Sequence, residues 1–373
     1  MASTSLPKTY KALVAHDYGQ PPSVDTLPLP EPSTGSAIVQ ILASLSDKSN
    51  QDILQPRNPY FSNPTPFTPG TSGIGRIVAT GPDAASLKPG QLVLIEPFVR
   101  ARDNPDAQIL AGLFSGPTPA DWTLAGEGLW RDGCFAEYKR VALENCYPLD
   151  EAALLGQLKY DIVDLAFLAK HLVAFGGFKA INLRPGETVI VAPATGVYSG
   201  AAVEVASALG ARVIAVGRSQ EALARLAEHI PRVHPVTLTG DAQKDAELLK
   251  PFGKIDAYID FTPRELESPT YLNSAIGALR TGGRVALMGF AYGNVSAPYA
   301  QMVLKSLTIQ AKYMYEREDV KEVIALAERG LLPLGARAGH QVLGKFKLEE
   351  WEQAFTLSNE KSKWGQDVVL TPN

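Results

Sequence analysis

The first 150 residues and the region after residue 183 follow two different hydrophobic patterns. In the first region, short apolar runs are separated by proline and glycine, which is typical of strands joined by turns. Strands are predicted at residues 12–15, 37–42, 75–80 and 92–96. This pattern predicts a mainly antiparallel, barrel-like domain.

The second region repeats an apolar strand, a glycine or proline turn and a helical period several times. Strands are predicted at 188–192, 212–216, 257–261, 284–288 and 307–311, and helices at 201–209, 220–228, 241–249 and 270–279. Such alternation predicts an α/β fold with a doubly wound parallel sheet, covered by helices on both faces.

The pattern in the last part of the chain predicts how the chain is divided between two domains. A helix at 320–329, a strand at 338–343, a helix at 348–357 and a strand at 367–370 follow the parallel sheet. We expect these elements to complete the first domain, which is then discontinuous, at 1–155 and 316–373, with the second domain at 156–315. Residues 99–127 are rich in proline, glycine and alanine and are predicted to form an inserted loop.

A glycine-containing turn follows the strand at 188–192. The sequence PATGVYSG at 193–200 leads into a helix whose apolar residues recur at helical spacing. Backbone N–H groups at such a turn bind a pyrophosphate, and the helix N-terminus adds partial positive charge. Two positions where glycine is common hold Val197 and Ser199, so an ordinary tight turn is an equally weighted alternative. The predicted cofactor contacts here are Ala194, Thr195, Gly196, Val197, Tyr198 and Ser199.

The end of the next strand indicates which dinucleotide is bound. An acidic residue at this point binds the adenosine ribose of NAD, but here the sequence is Gly217-Arg218-Ser219. Arg218 can donate two charge-assisted hydrogen bonds to a 2′-phosphate, and Ser219 a third. NADPH is therefore the predicted cofactor, and a solvated surface arginine is the alternative. Phe290 completes the predicted set of cofactor-binding residues.

Composition and charge exclude several classes of partner. The formal net charge is −4, and no run rich in lysine or arginine offers a field for nucleic acid. No segment has the pattern of a signal peptide or a membrane span, so we expect a soluble, cytoplasmic protein without a membrane partner. Two cysteines, Cys134 and Cys146, suit a reducing compartment. Cys134 lies in a predicted strand and is interpreted as a buried side chain.

Six short motifs resemble those of the medium-chain dehydrogenase/reductase family. They are KALV at 11–14, LPEP at 29–32, PGTSGIG at 69–75, LKPGQLV at 87–93, GCFAEY at 133–138 and LRPGETV at 183–189. The resemblance implies a GroES-like catalytic domain and a Rossmann domain, with nicotinamide and a small-molecule substrate in the cleft between them. It also implies a homodimer joined through the edges of the Rossmann sheets, with 307–311 as the edge strand.

The chain departs from the zinc-dependent members of that family. Those members have cysteine in the segment matching 44–49 and His-Glu after the glycine matching Gly70, whereas this chain has Asp47 and Thr71-Ser72. Catalytic zinc needs about three ligands of the Cys, His or carboxylate type. The five histidines show no metal-ligand spacing. We therefore predict no metal and a resemblance to the quinone oxidoreductase and enoyl reductase branch.

Without a Lewis acid, a conjugated substrate is easier to reduce than a simple ketone. Hydride added to the far carbon of an enone or quinone gives an enolate, which a few donors or solvent can protonate. The candidate catalytic residues are Asp47, Lys48 and Tyr60, and Tyr198 is a further candidate donor. For Asp47 and Lys48, an ordinary surface ion pair is an equally weighted interpretation. For Tyr60, packing in the cleft wall is favoured over proton donation. Tyr198 either covers the cofactor or faces a neighbouring strand.

The predicted function is NADPH-dependent, zinc-independent hydride transfer to a conjugated carbonyl compound. One alternative is a zinc-free alcohol dehydrogenase or ketoreductase, which gives an allylic alcohol instead of a saturated ketone. Another is a non-redox protein on the same fold, either an isomerase or cyclase or a nucleotide sensor. The altered glycine pattern keeps the non-redox alternative open.

Overall fold

The chain forms two compact units in a computed structural model that describes residues 6–58, 62–126, 129–264, 266 and 269–373. One unit comprises Met1–Ala169, Gln341–Ser362 and Gln366–Asn373, and the other comprises Lys170–His340 and Lys363–Gly365. The first unit is discontinuous, and the divisions fall after Ala169 and His340, whereas the sequence predicted domain boundaries after residues 155 and 315.

The N-terminal part of the first unit consists mainly of strands. They are β1 (Thr9–Val14), β2 (Ser23–Pro28), β3 (Ser36–Ser46), β4 (Gly73–Thr80), β5 (Leu92–Ile95), β6 (Phe98–Arg100), β7 (Gln108–Leu110), β8 (Tyr138–Ala142) and β9 (Cys146–Pro148). Two short α-helices, α1 (Pro119–Leu124) and α2 (Ile162–Leu165), a 3₁₀ helix at Lys48–Leu54 and a π-helical turn at Ala152–Gln157 accompany them. The predicted loop at 99–127 thus contains regular structure, because β6 pairs with β7 and Thr118 caps α1.

The second unit alternates strands and helices. Its strands are β10 (Thr188–Ala192), β11 (Arg212–Gly217), β12 (Val233–Thr237), β13 (Ala257–Asp260), β14 (Arg284–Leu287) and β15 (Thr308–Ala311). Its helices are α3 (Leu168–Ala180), α4 (Val197–Ala208), α5 (Gln220–His229), α6 (Ala242–Leu249), α7 (Thr270–Ala278), α8 (Tyr299–Leu304) and α9 (Arg317–Glu328). Within the described ranges, no helix is long and apolar enough to cross a membrane.

The chain then returns to the first unit through β16 (Gln341–Phe346), α10 (Trp351–Lys361) and β17 (Gln366–Leu370). These strands extend a sheet in the order β16-β17-β3-β4-β5-β9, with β8 also paired to β3. All its pairs are antiparallel except β16 with β17. The predicted antiparallel GroES-like domain is therefore confirmed.

Six parallel strands form the sheet of the second unit in the order β12-β11-β10-β13-β14-β15. β10 is buried at all five positions because helices cover both faces of the sheet, as expected for its continuous apolar sequence. The Rossmann-type fold is thus confirmed, and β15 is the edge strand as predicted. The strand β12 was missed because Pro235 interrupts its pattern, and α3 because its apolar residues show no helical stripe.

Candidate cofactor site

The strand order of the parallel sheet places a switch point at β10. From β10 the chain builds outward to β11 on one side and later to β13 on the other. In open α/β sheets, ligands bind beyond the carboxyl ends of the strands at this point. The turn after β10 and the loops after β11, β13 and β14 all follow those carboxyl ends, so the predicted cofactor residues share one edge.

The turn after β10 exposes the start of α4. Gly196 is the N-cap residue, and its N–H donates to Ser199 Oγ at 3.0 Å. The N–H groups of Val197, Tyr198 and Ser199 belong to the first turn of the helix, where no carbonyl of the same helix can accept them. They can therefore donate to a phosphate, whereas the Ala194 N–H is already used by Val216 O at 2.8 Å.

Gly200 has a packing role that its place in the sequence motif did not reveal. A Cβ atom on Gly200 would lie 2.4 Å from each of three atoms of the Trp364 side chain. The backbone N–H of Trp364 donates to Thr195 O at 3.4 Å. Glycine at 200 is thus required for contact between α4 and Trp364, and this contact holds the turn.

A buried lysine contacts the phosphate turn from α3. Lys170 is only 2% exposed, and its Nζ donates to the Tyr198 hydroxyl at 3.0 Å and lies 4.6 Å from the ring centroid. The Tyr198 ring is itself 36% exposed. This contact decides the orientation of Tyr198 and places a positive charge beside the helix N-terminus. Lys170 was missed, although a lone lysine in the apolar segment LAFLAKHLVAF was a usable signal.

The end of β11 lies close to the phosphate turn. A Cβ on Gly217 would be 3.5 Å from Thr195 Cγ2, so the glycine permits this approach. Arg218 is exposed, and Ser219 caps α5 by accepting the Ala222 N–H at 3.2 Å. The Ser219 hydroxyl can still donate its own proton to a phosphate.

Asp260, at the carboxyl end of β13, is the centre of a buried hydrogen-bond network that sequence reasoning missed. Asp260 Oδ1 accepts from the Tyr258 hydroxyl at 2.8 Å and from the Thr262 hydroxyl at 2.6 Å. The Tyr271 hydroxyl donates in turn to Thr262 Oγ1 at 3.0 Å. Burial raises the pKa of the Asp260 carboxyl despite these bonds. Burial also raises the pKa of Tyr271 to about 12, and the Arg218 charge opposes that rise. The electrostatic effect of Arg218 therefore reaches this network.

The loop after β14 carries Phe290 to the same edge. The Phe290 N–H donates to Thr262 O at 3.0 Å, and the ring lies 6.0 Å from that of Tyr292 in an edge-on arrangement. Phe290 is partly exposed, so an apolar face is available to a ligand. A Cβ on Gly289 would lie 2.6 Å from Asp260 Oδ2, so this glycine allows the loop to close on the network.

A buried carboxylate on α4 binds two histidines outside that helix. Glu204 accepts from His171 Nε2 at 2.8 Å and from His340 Nε2 at 2.9 Å, and all three side chains are almost fully buried. Burial acts to raise the pKa of Glu204, but the two histidines outweigh it and lower that pKa to about 2. The cluster ties α4 to α3 and to the end of the unit at His340.

The predicted catalytic residues belong to the other unit. Asp47 caps the 3₁₀ helix Lys48–Leu54, since its carboxylate accepts the Ser49 N–H at 2.9 Å, and Lys48 is exposed. The capping role gives Asp47 a structural function in addition to the predicted one. Tyr60 lies outside the described residues. All three remain predictions as catalytic groups.

The described residues do not present a zinc site. In the ranges that the structure covers, no three His, Cys, Asp or Glu side chains cluster so that they could hold a metal ion. Thr71 and Ser72 follow Gly70, and both cysteines are buried. The donor set therefore does not fit catalytic zinc.

The two units match two family patterns. Residues 34–151 match the alcohol dehydrogenase GroES-like domain, and residues 199–329 match the zinc-binding dehydrogenase domain. Together with the fold, these matches define an oxidoreductase. The chain belongs to the medium-chain dehydrogenase/reductase family.

Individual relatives cover most of the chain at low identity. An alcohol dehydrogenase of Rhizobium meliloti (strain 1021) is 26% identical over 86% of this chain and 89% of its own length. An acryloyl-coenzyme A reductase of Metallosphaera sedula is 24% identical over 97% of this chain and 100% of its own. A Sinorhizobium meliloti 1021 structure described as a zinc-binding dehydrogenase bound to NADP has a TM-score of 0.76 at 20% identity, covering 98% of this chain and 100% of that one. The structural likeness shows the shared fold.

Proposed function

We propose that this protein is an NADPH-dependent, zinc-independent reductase of conjugated carbonyl compounds. The cofactor assignment rests on Arg218, which is exposed directly after β11. Arg218 lies at the same edge of the sheet as the turn after β10 and the Asp260 network. No acidic residue occupies 217–219. A 2′-phosphate would therefore meet a guanidinium and a hydroxyl instead of a carboxylate.

The residues of the second unit fit the rest of a dinucleotide. The first N–H groups of α4 would bind the pyrophosphate, and Lys170 adds positive charge beside them through Tyr198. Phe290 offers an apolar face on the same edge. When bound, NADPH supplies a hydride.

Among the described residues, no donor set fits catalytic zinc, and this favours the conjugated substrate. Hydride added to the far carbon of a C=C–C=O group leaves the negative charge on an enolate, which needs only hydrogen-bond donors and a proton at the neighbouring carbon. Asp47, Lys48 and Tyr60 are the proposed sources of those bonds. The likeness to an acryloyl-coenzyme A reductase over nearly the whole chain supports this reaction class.

The alcohol dehydrogenase relative favours a second candidate, a zinc-free ketoreductase with the same cofactor. The two candidates differ in product: reduction of the C=C bond gives a saturated ketone, and reduction of the C=O bond gives an allylic alcohol.

A direct test combines cofactor and substrate choice. Metal-free protein would be titrated with NADPH and with NADH, and then mixed with a panel of enones, quinones and simple ketones while the nicotinamide absorbance is followed. We expect tighter binding of NADPH and turnover of conjugated substrates. Turnover of ketones alone would support the second candidate, and a folded protein that binds neither nucleotide would support a non-redox role.

We also propose that two copies associate through β15. This edge strand leaves one side of the described sheet unpaired, and the neighbouring helix α8 exposes Tyr299, Val303 and Leu304. Apolar side chains beside an unpaired strand favour a second copy, which would continue the sheet and cover the helix.

A further inference from the structure

A buried lysine in the first unit has an unusual neighbour. Strand β8 has alternating burial, and Lys139 occupies an inward position at 6% exposure. Its Nζ donates to Cys134 Sγ at 3.9 Å. Among the described residues, no carboxylate forms an ion pair with Lys139. A lysine removed from water normally has an acidic partner, so the thiol takes a place that a carboxylate usually fills.

The surroundings of this pair are apolar. Cys134 and Cys146 lie in one hydrophobic cluster with Val39, Ile41 and Ile95. Burial raises the pKa of the Cys134 thiol, and the nearby Lys139 charge opposes that rise. Burial likewise raises the pKa of Cys146 to about 12, again opposed by Lys139. The lysine therefore acts electrostatically on both thiols, and it is hydrogen-bonded to one.

The backbone of Cys134 is held by a hydrogen bond, and its sulfur lies against Gly73. The Cys134 N–H donates to Gly70 O at 2.7 Å. A Cβ on Gly73 would lie 3.3 Å from Cys134 Sγ, so that glycine makes room for the sulfur. The thiol is fixed and the lysine has a flexible stem, so the amine can approach the sulfur without a change in the backbone.

We propose that Lys139 and Cys134 form a reversible covalent cross-link in which one oxygen atom joins Nζ to Sγ. The amine and the thiol each lose one hydrogen atom. Dioxygen supplies the bridging atom, and its second oxygen atom leaves as water with those two hydrogens. Nitrogen and sulfur each give up two electrons, and these four electrons reduce the dioxygen.

The reverse reaction requires two equivalents of a dithiol reductant, each of which gives two electrons and two protons and becomes a disulfide. Four electrons and four protons split the N–O and O–S bonds, restore the amine and the thiol, and release one water. Dioxygen is small enough to reach a buried thiol by local opening of the structure, whereas larger oxidants are excluded. The link closes a short loop before β8 and holds it against the segment around Gly70.

Peptide mass spectrometry tests the link in the full-length protein. Protein purified without air and the same protein exposed to air would be digested with trypsin without reduction. Because the modified Lys139 no longer directs cleavage, the link predicts a 132–140 peptide heavier by one oxygen and lighter by two hydrogens. We expect this peptide after exposure to air and its loss after treatment with a dithiol reductant.

Matched variants locate the link. Cys146→Ala should still form it, whereas Cys134→Ala and Lys139→Met should not, and the air-oxidised wild type should unfold at a higher temperature than the reduced protein. Fragmentation of the wild-type peptide decides the matter even where a variant fails to fold. Oxygen on Cys134 alone, a disulfide between the two cysteines, or unmodified thiols after exposure to air would each overturn the proposal.

Discussion

At the residue scale, the proposed preference for NADPH rests on Arg218. Its guanidinium is exposed at the end of β11, and its charge extends to the Tyr271 network. Gly217 brings this strand end close to Thr195 of the phosphate turn. We therefore expect this one side chain to account for most of the difference in affinity between NADPH and NADH.

Replacing Arg218 with alanine should weaken the binding of NADPH without affecting the binding of NADH. Loss of a charge-assisted hydrogen bond costs about 1.5–3 kcal/mol, so the KM for NADPH should rise about 10- to 160-fold. Steady-state kinetics with each cofactor measures this effect, and Lys244→Ala, also exposed, is the control. Equal losses for both cofactors would contradict the assignment.

A second residue, Glu204, links stability to pH. Its pKa is about 2 in the folded protein against an ordinary value of 4.5. Because the folded value is lower, the carboxylate stabilises the fold above the ordinary pKa, and this contribution is lost as the pH falls from about 4.5 towards 2. Its size is about 3 kcal/mol.

Glu204→Gln should lower the free energy of unfolding by about 3–5 kcal/mol at neutral pH, because two buried histidines lose a charged partner. Urea denaturation over a pH series measures the difference from the wild type. This difference should shrink below about pH 4.5. The control variant Glu228→Gln, at an exposed position, should unfold with the same free energy as the wild type. If the loss of stability in Glu204→Gln did not vary with pH, that result would argue against the ion cluster.

At the scale of elements, α4 is positioned by contacts on two sides. Trp364 packs on Gly200, and Glu204 binds the two histidines from α3 and the end of the unit. Residues far apart in the chain therefore determine where the first N–H groups of the helix lie.

Gly200→Ala should destabilise the protein by about 1–3 kcal/mol, because the new methyl group overlaps Trp364. It should also weaken NADPH binding by displacing the turn. A double-mutant cycle with Trp364→Ala measures the coupling, which should be large because the two side chains share one space. Additive effects of the two changes would show that this contact does not hold the turn.

The sequence predicted regular elements well and their long-range contacts poorly. The strand 188–192 was predicted with its observed ends, because continuous apolar residues before a glycine turn have one common structure. The predicted strand containing Cys134 was wrong: Cys134 lies in the loop before β8, held by Gly70 O. The sequence also did not reveal the roles of Lys170, Asp260 and Trp364. The partners of these residues become neighbours only in the folded chain.

At the scale of the whole molecule, the proposed dimer makes α8 an interface. Leu304 is 82% exposed and Tyr299 is 75% exposed in the single chain. Surfaces of this kind are seldom left uncovered beside an unpaired strand.

Leu304→Asp should convert a dimer to a monomer, because a buried unpaired carboxylate costs several kcal/mol. Sedimentation equilibrium measures the mass. Leu331→Asp, at a leucine that is 55% exposed elsewhere in the unit, should leave the dimer intact. A monomeric wild type, or a dimeric Leu304→Asp variant, would contradict the interface.

In the proposed reaction, hydride passes from NADPH to the far carbon of a conjugated substrate without a metal. NADPH deuterated at C4 would be reacted with an enone and chelator-treated protein, and the product would be examined by NMR. We expect one deuterium at the carbon of the C=C bond furthest from the carbonyl, and a rate that added zinc does not change. Deuterium on the carbonyl carbon of an allylic alcohol, or turnover that depends on zinc, would contradict it.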